Sequence, residues 1–324
     1  MKASLLRSAR NRIPPCSPPW WAKTGHLQTI LGHLLDSPKF SEKGEVVTIP
    51  LESPAENIHS TYFRGEIPKV VYLFHGLGGS AEATYMQRTA VVARKLGYHV
   101  FVNNHRGCGL GAGLASEPYH SGRAEDLSKV IEFGRARFPD FEHIAIGFSL
   151  SANALLLLAA GVRADVLPDI AIAVNGPVHL DKASVKLSQG LNLIYNLRFM
   201  RQLKNYIKIN RPSEVSRLEN TFDLRTFDEV YTAPLGGFKN RRDYYETCSA
   251  NKYLSKIKIP TVIITAQDDP FVSADDYLGA ILPEHVILQV EEHGGHMGYL
   301  SQDAKDHRWL DEALYQYLEA IKSE

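Results

Sequence analysis

One segment, residues 143–158 (HIAIGFSLSANALLLL), constrains the fold of this chain more than any other. Its short apolar run, residues 144–146, predicts a buried strand, and residues 152–160, rich in Ala and Leu, predict a helix. The turn between them places Ser149 at the junction. A serine in a strained strand-to-helix turn is exposed at the end of a sheet, where it can act as a nucleophile.

The same turn allows a plainer interpretation. Gly and Ser are common wherever a strand passes into a helix, so G-x-S-x-S is a weak signal alone. Gly147 meets the need for a small residue two positions before the serine, but Ser151 stands where glycine is usual in such turns. The nucleophile hypothesis therefore requires an acid and a histidine later in the chain.

A candidate acid follows the apolar run at residues 261–265 (TVIIT), which predicts another strand. The next residues are Ala-Gln-Asp-Asp-Pro. When a serine acts as nucleophile at such a turn, the acidic residue of its triad follows one of the later strands. We prefer Asp269, which precedes Pro270, and keep Asp268 as the alternative.

Two histidines follow the last predicted strand, residues 286–290. His296 is the preferred base over His293, because its flanking glycines let the loop project its side chain. Their H-x-x-H spacing also suits a metal site, but it lacks a helix and a nearby third ligand, so we expect no metal.

A glycine-rich loop follows the predicted strand at residues 70–74 (VVYLF). The sequence His-Gly-Leu-Gly-Gly lets the backbone approach a reacting carbonyl. We expect the backbone N–H groups of Leu77 and Leu150 to stabilise an oxyanion. A phosphate-binding loop is the alternative, but neither G-K-[ST] nor G-x-G-x-x-G is present in this stretch.

Several other reactive residue types receive structural interpretations. Cys108 has no strand–turn–helix context, so we interpret it as a small loop residue rather than a nucleophile. His105 and Arg106 are expected to brace their loop, His120 to support the site indirectly, and Asp126 to be a structural hydrogen-bond partner.

Charge and cysteine content exclude several classes of function. The 324 residues contain 36 Lys and Arg and 36 Asp and Glu, so nothing favours nucleic acid as a partner. Three widely spaced cysteines argue against a disulfide framework and for a reducing compartment. Neither a membrane-spanning run nor a convincing secretory signal is present, so a cytoplasmic location is expected.

Residues 1–40 are expected to form an N-terminal arm that packs on the body, residues 41–324. The first 20 residues are basic and Pro-rich, which predicts an extended conformation. Trp20 and Trp21 are expected to anchor the arm by burial, the alternative being a lip over the site or a lipid-facing patch.

The regular succession of strands stops at residues 178–250, which predict helices and loops with a break at Gly190. Such an insertion between strands predicts a cap that shapes a substrate pocket. Residues from about 304 to 321 predict a closing helix.

The candidates Ser149, Asp269 and His296 occur in the chain order Ser, Asp, His, each after a predicted strand. The chain resembles the YheT-like α/β-hydrolases. The segments that carry this resemblance are HLQTI (26–30), FHGLGGS (74–80), NHRG (104–107), YHSG (119–122), GFSLS (147–151), FDEVYTAPLGGF (227–238), DYYETCSA (243–250), DDPF (268–271) and GGHMGYL (294–300). The resemblance implies an α/β-hydrolase fold, with a mostly parallel sheet between helices, and a serine esterase or lipase-like activity with those three residues as triad.

The leading hypothesis is therefore hydrolysis of carboxylic esters (EC 3.1.1 type) through an acyl-enzyme on Ser149. A small-molecule ester or lipid substrate, no organic cofactor and a monomeric state are expected. One alternative is a phospholipase or acyltransferase that contacts a membrane surface peripherally. Another is a hydrolase-like scaffold that binds a ligand without turnover.

Overall fold

A mostly parallel sheet organises the structure, a computed structural model that describes residues 2–35, 37, 40–51 and 56–323. Within these residues the strand order is β1-β2-β4-β3-β5-β6-β7-β8. The strands are β1 (Glu45–Pro50), β2 (Asn57–Phe63), β3 (Lys69–Phe74), β4 (His99–Asn103), β5 (Glu142–Phe148), β6 (Ile170–Val174), β7 (Thr261–Ala266) and β8 (Val286–Glu291). Strand β2 pairs antiparallel with β1 and β4, and all other pairs are parallel.

The central strands are apolar throughout because helices cover both faces of the sheet. The described helices are α1 (Lys2–Arg12), α2 (Gly25–Leu34), α3 (Thr84–Lys95), α4 (Ala124–Arg137), α5 (Leu150–Ala159), α6 (Leu180–Leu187), α7 (Leu193–Asn210), α8 (Leu224–Phe227), α9 (Ala233–Leu235), α10 (Arg241–Cys248), α11 (Asp275–Leu278) and α12 (Trp309–Lys322). In β3, Tyr72 faces the core shared with α4 and α5, whereas Val71 and Leu73 face the core shared with α1, α3 and α12. This alternation confirms the predicted sheet with helices on both sides.

The N-terminal segment differs from the expected extended arm. Residues 2–12 form α1, whose buried Leu6 and Ala9 pack with α12. Helix-favouring Ala, Leu and Arg dominate this stretch, and the prolines begin only at Pro14. The expected aromatic anchor is also wrong in part: the side chain of Trp20 is 82% exposed, whereas Trp21 contacts the ring of His307 edge-on.

The segment of residues 178–250, here called the insertion, lies between β6 and β7 and is mainly helical. Gly190, with φ of +55°, separates α6 from α7, as the sequence predicts. The closing helix starts at Trp309, five residues later than predicted, after a 3₁₀ turn at Lys305–His307. No helix in the described ranges is long and apolar enough to cross a membrane.

Candidate active site

Ser149 lies at the junction of β5 and α5 with backbone angles φ +52° and ψ −117°. Positive φ is strained for a residue with a side chain and here turns the serine toward the edge of the sheet. The turn is tight enough that a Cβ on Gly147 would lie 2.6 Å from the carbonyl oxygen of Ser151. A glycine is therefore required two positions before the serine, because any larger side chain would clash with the backbone of Ser151.

The structure brings all three candidate residues together in one hydrogen-bonded chain. Nε2 of His296 lies 2.8 Å from Oγ of Ser149, and Nδ1 lies 2.8 Å from Oδ2 of Asp269. A carboxylate only accepts hydrogen bonds, so Nδ1 carries the hydrogen and Nε2 is free to accept the serine proton. The imidazole side chain is 8% exposed and the carboxyl group is fully buried, so water is largely excluded from this relay.

Backbone and side-chain donors fix the position of the Asp269 carboxyl group. Its Oδ1 accepts hydrogen bonds from the N–H groups of Phe271 and Val272, at 3.0 and 2.9 Å. Its Oδ2 accepts a further bond of 2.8 Å from Nδ2 of Asn175. Sequence reasoning did not assign Asn175 to the site, although the Asn-Gly-Pro turn that follows β6 was a visible signal.

The two competing aspartates and histidines form two separate pairs. Asp268 accepts a 2.7 Å hydrogen bond from the N–H of Gly295, and its other oxygen lies 3.4 Å from Nδ1 of His293. Asp268 therefore holds the loop that carries His296, whereas Asp269 contacts the imidazole itself.

Helix α2 fastens the same loop from the N-terminal side. Oγ1 of Thr29 accepts a 2.8 Å hydrogen bond from the N–H of His296. Gln28 bonds both the N–H and the carbonyl oxygen of Leu300. Gln28 and Thr29 had no predicted role in the site, and their position in the HLQTI segment was the one signal that pointed to them.

The glycine-rich loop passes directly over the serine. A Cβ on Gly76 would lie 3.0 Å from Cβ and 3.5 Å from Oγ of Ser149. Among the described residues, neither the N–H of Leu77 nor that of Leu150 donates a hydrogen bond to the protein. Both amides therefore keep their donor capacity next to the serine hydroxyl.

Comparison with protein-family models matches residues 71–306 to the "Alpha/beta hydrolase family". The chain belongs to this family. This α/β-hydrolase is 31% identical over 316 residues to YheT of Escherichia coli (strain K12), named as a candidate esterase, with 90% of the chain and 89% of the relative covered. The resemblance inferred from the motifs is thereby confirmed.

A second relative is named for a different substrate. The mouse (Mus musculus) protein named "Phospholipase ABHD3" is 24% identical over 322 residues, which cover 94% of this chain and 78% of that relative. The Pyrococcus furiosus esterase Pf2001 matches in structure with a TM-score of 0.59, 16% identity and coverage of 88% of this chain and 98% of that one. This likeness confirms the α/β-hydrolase fold.

Ser151, the departure from the usual elbow motif, has a defined place in this α/β-hydrolase. Its buried hydroxyl donates to the carbonyl oxygen of His75 and lies 2.6 Å from Nε2 of His105. Nδ1 of His75 lies 2.8 Å from the carbonyl oxygen of Gly76, and its Nε2 accepts a hydrogen bond from the N–H of His105. Burial lowers the pKa of both imidazoles, so they are neutral partners. The network joins the elbow helix to the loop that carries Leu77.

Replacing Ser151 with Ala is expected to lower the free energy of unfolding by about 1–3 kcal/mol, because buried polar partners lose a hydrogen bond. It is also expected to lower kcat about tenfold, because the glycine-rich loop shifts relative to Ser149. Urea denaturation and ester hydrolysis measure the two effects. Ser128→Ala is the matched control, since Ser128 of α4 is also buried and bonds a carbonyl, that of Val166 in the loop between α5 and β6, away from the glycine-rich loop. A stability loss in Ser151→Ala with unchanged kcat would contradict the positioning role.

The remaining reactive residues lie in structural contacts. Cys108 is buried, and burial raises the pKa of its thiol. Arg106 pairs with the buried Asp126 through two hydrogen bonds, as expected for a brace. His120 lines a cavity next to Ser149, and its Nδ1 accepts from the N–H of Gly122. The described residues contain no cluster of side chains able to hold a metal ion.

Proposed function

We propose that this α/β-hydrolase hydrolyses carboxylic esters through an acyl-enzyme on Ser149. The observation that carries the proposal is the chain of two 2.8 Å contacts from the Ser149 hydroxyl through His296 to Asp269. The relatives named as an esterase and a phospholipase support ester chemistry.

Acylation begins when Oγ of Ser149 attacks the ester carbonyl carbon and its proton moves to Nε2 of His296. Asp269 keeps the hydrogen of Nδ1 in place and stabilises the imidazolium that forms. The imidazolium then gives the proton to the alkoxy oxygen, the C–O bond breaks, and the alcohol leaves. Water then attacks the acyl carbon while it loses a proton to Nε2 of His296. The bond between the acyl carbon and Oγ of Ser149 breaks, the imidazolium returns its proton to Oγ, and the carboxylic acid leaves.

The negative charge on the carbonyl oxygen needs donors that are already in position. We assign this role to the N–H groups of Leu77 and Leu150, which donate to no acceptor among the residues that the structure describes. Each such donor contributes about 3 kcal/mol to lowering the barrier. Within this proposal residues 1–40 act as an arm that holds the His296 loop, residues 41–324 form the hydrolase domain, and the insertion acts as a cap.

A fluorophosphonate probe tests the nucleophile without a known substrate. We expect stoichiometric labelling of the full-length protein on the peptide that contains Ser149 and no labelling of Ser149→Ala. Labelling on another serine would show that Ser149 is not the nucleophile. No labelling of a folded wild-type protein would favour the scaffold without turnover.

A specific surface feature supports a second candidate, ester hydrolysis at a lipid surface. Two cavities adjoin Ser149, with volumes of about 80 and 850 Å³. Leu34 of α2 and Ile194 of α7, here called the rim, line the larger one, yet their side chains are 66% and 58% exposed. Leu191, just before α7, and Leu193 and Leu197 in its first turns are exposed as well. Exposed apolar patches beside a substrate opening suit contact with lipid.

Liposome co-sedimentation tests this candidate with the full chain. We expect bound protein to fall severalfold in the double variant Leu34→Ser/Ile194→Ser if the rim contacts lipid. Ile281→Ser is the control, because Ile281 is 82% exposed outside the rim. An absence of binding by the wild-type protein would exclude the lipid-surface function.

A further inference from the structure

Ser149 lies between two cavities that differ in size and enclosure. The first, here called the cap pocket, has a volume of about 80 Å³ and lies under the insertion. The second, here called the arm pocket, has a volume of about 850 Å³ and lies between α2, the glycine-rich loop and α7. The serine hydroxyl is thus the point where the two halves of an ester would meet.

The location of His296 decides which half of the ester enters which cavity. The alkoxy oxygen must receive its proton from Nε2 of His296, so the alcohol has to lie on the imidazole side. His296 lines the arm pocket and does not line the cap pocket. The alcohol therefore occupies the arm pocket, and the acyl group points under the insertion.

The cap pocket admits only a small acyl group. Its volume is roughly half the ~150 Å³ of an engineered protein cavity that binds one benzene molecule. Leu180, Leu187, Leu203, Phe227 and Tyr231 line it, and each is less than a tenth exposed. Because these buried side chains are packed within the insertion, a long acyl chain would have to displace them.

The arm pocket offers both room and an unused polar group to the alcohol. The side-chain oxygen of Gln202 is buried and has no hydrogen-bond partner among the described residues. Gln202 lines this pocket from α7 and lies against Gly78, where an added Cβ would be 2.6 Å from its oxygen. A buried acceptor without a donor is costly, and a hydroxyl group of the substrate would satisfy it.

We infer that the enzyme acts on esters of a compact acyl group with a large, hydroxyl-bearing alcohol, the acyl group bound in the cap pocket and the alcohol in the arm pocket. This inference rests on the proposed function, because it uses the proton transfer from His296 to the leaving oxygen. It assigns acyl specificity to the insertion and alcohol recognition to Gln202.

The acyl half is tested with p-nitrophenyl acetate, butyrate and decanoate. We expect kcat/KM for acetate or butyrate to exceed that for decanoate by at least about tenfold. Leu203→Ala enlarges the cap pocket and should raise the decanoate-to-acetate ratio by about tenfold. Ile281→Ala, on the exposed surface outside both pockets, should leave that ratio unchanged. Equal or better hydrolysis of decanoate by the wild-type enzyme would overturn the inference, whether or not Leu203→Ala folds.

The alcohol half is tested with glyceryl monobutyrate and ethyl butyrate, which share one acyl group. We expect Gln202→Leu to raise KM for glyceryl monobutyrate about tenfold and to leave ethyl butyrate unchanged. An equal effect on both esters would remove the assigned role of Gln202. If Ser149→Ala keeps the wild-type rate, the proposed function fails; if only the ester preferences differ from these, the inference fails and the function stands.

Discussion

Ser149→Ala is expected to lower kcat for p-nitrophenyl acetate by a factor on the order of 10⁶, the loss seen when a serine nucleophile is removed from a comparable relay. No other hydroxyl could replace Ser149 as nucleophile, because Oγ of Ser149 is the only hydroxyl oxygen that Nε2 of His296 contacts among the described side chains. The measurement is steady-state release of p-nitrophenol with protein purified free of other esterases.

A thermal melt must accompany this measurement, because the strained backbone at φ +52° already stores unfavourable energy. Alanine in place of serine keeps that backbone, so we expect little change in Tm. Ser128→Ala serves as the control here too, with a wild-type rate expected. Retention of more than a hundredth of wild-type activity by Ser149→Ala would end the acyl-enzyme proposal.

Asp269→Asn is expected to lower kcat about 10⁴-fold, whereas Asp268→Asn should lower it tenfold or less. An asparagine amide at position 269 can donate to Nδ1 of His296, which then carries its hydrogen on Nε2. In that tautomer the imidazole no longer accepts the serine proton. At position 268 the side-chain oxygen of asparagine still accepts from the N–H of Gly295, so the loop keeps its place.

This pair of variants is a matched comparison, since both remove one negative charge from adjacent residues near the same loop. Their kcat/KM values should be measured across the pH range together with their unfolding free energies. A larger loss in Asp268→Asn than in Asp269→Asn would exchange the assignments of the two aspartates. Equal losses would show that the charge near the loop, not the contact with His296, carries the effect.

The parts of the fold that were predictable are those with local patterns. Strands such as β3, β6 and β7 were predicted from continuous apolar runs, because a strand that is buried on both faces is apolar at successive positions. Ser149 was visible for the same reason: a small-residue turn between strand and helix is a local feature.

Contacts between distant parts of the chain were not predictable in this way. Thr29 bonds His296 across 267 residues, and Asn175 bonds Asp269 across 94. The local signals at these residues were weak, because an asparagine in a turn and a threonine on a helix are both common without any role in a site. The composition of residues 2–12 favours a helix, but a helix of 11 residues also needs packing, and the packing of α1 on α12 was not visible in the sequence.

The bond from Thr29 to the backbone of His296 has a consequence for how activity arises during synthesis. The helix that holds this loop is synthesised well before it, because Thr29 precedes His296 by 267 residues. Under the proposed mechanism, a nascent chain cannot hydrolyse esters until the segment that carries His296 has emerged from the ribosome.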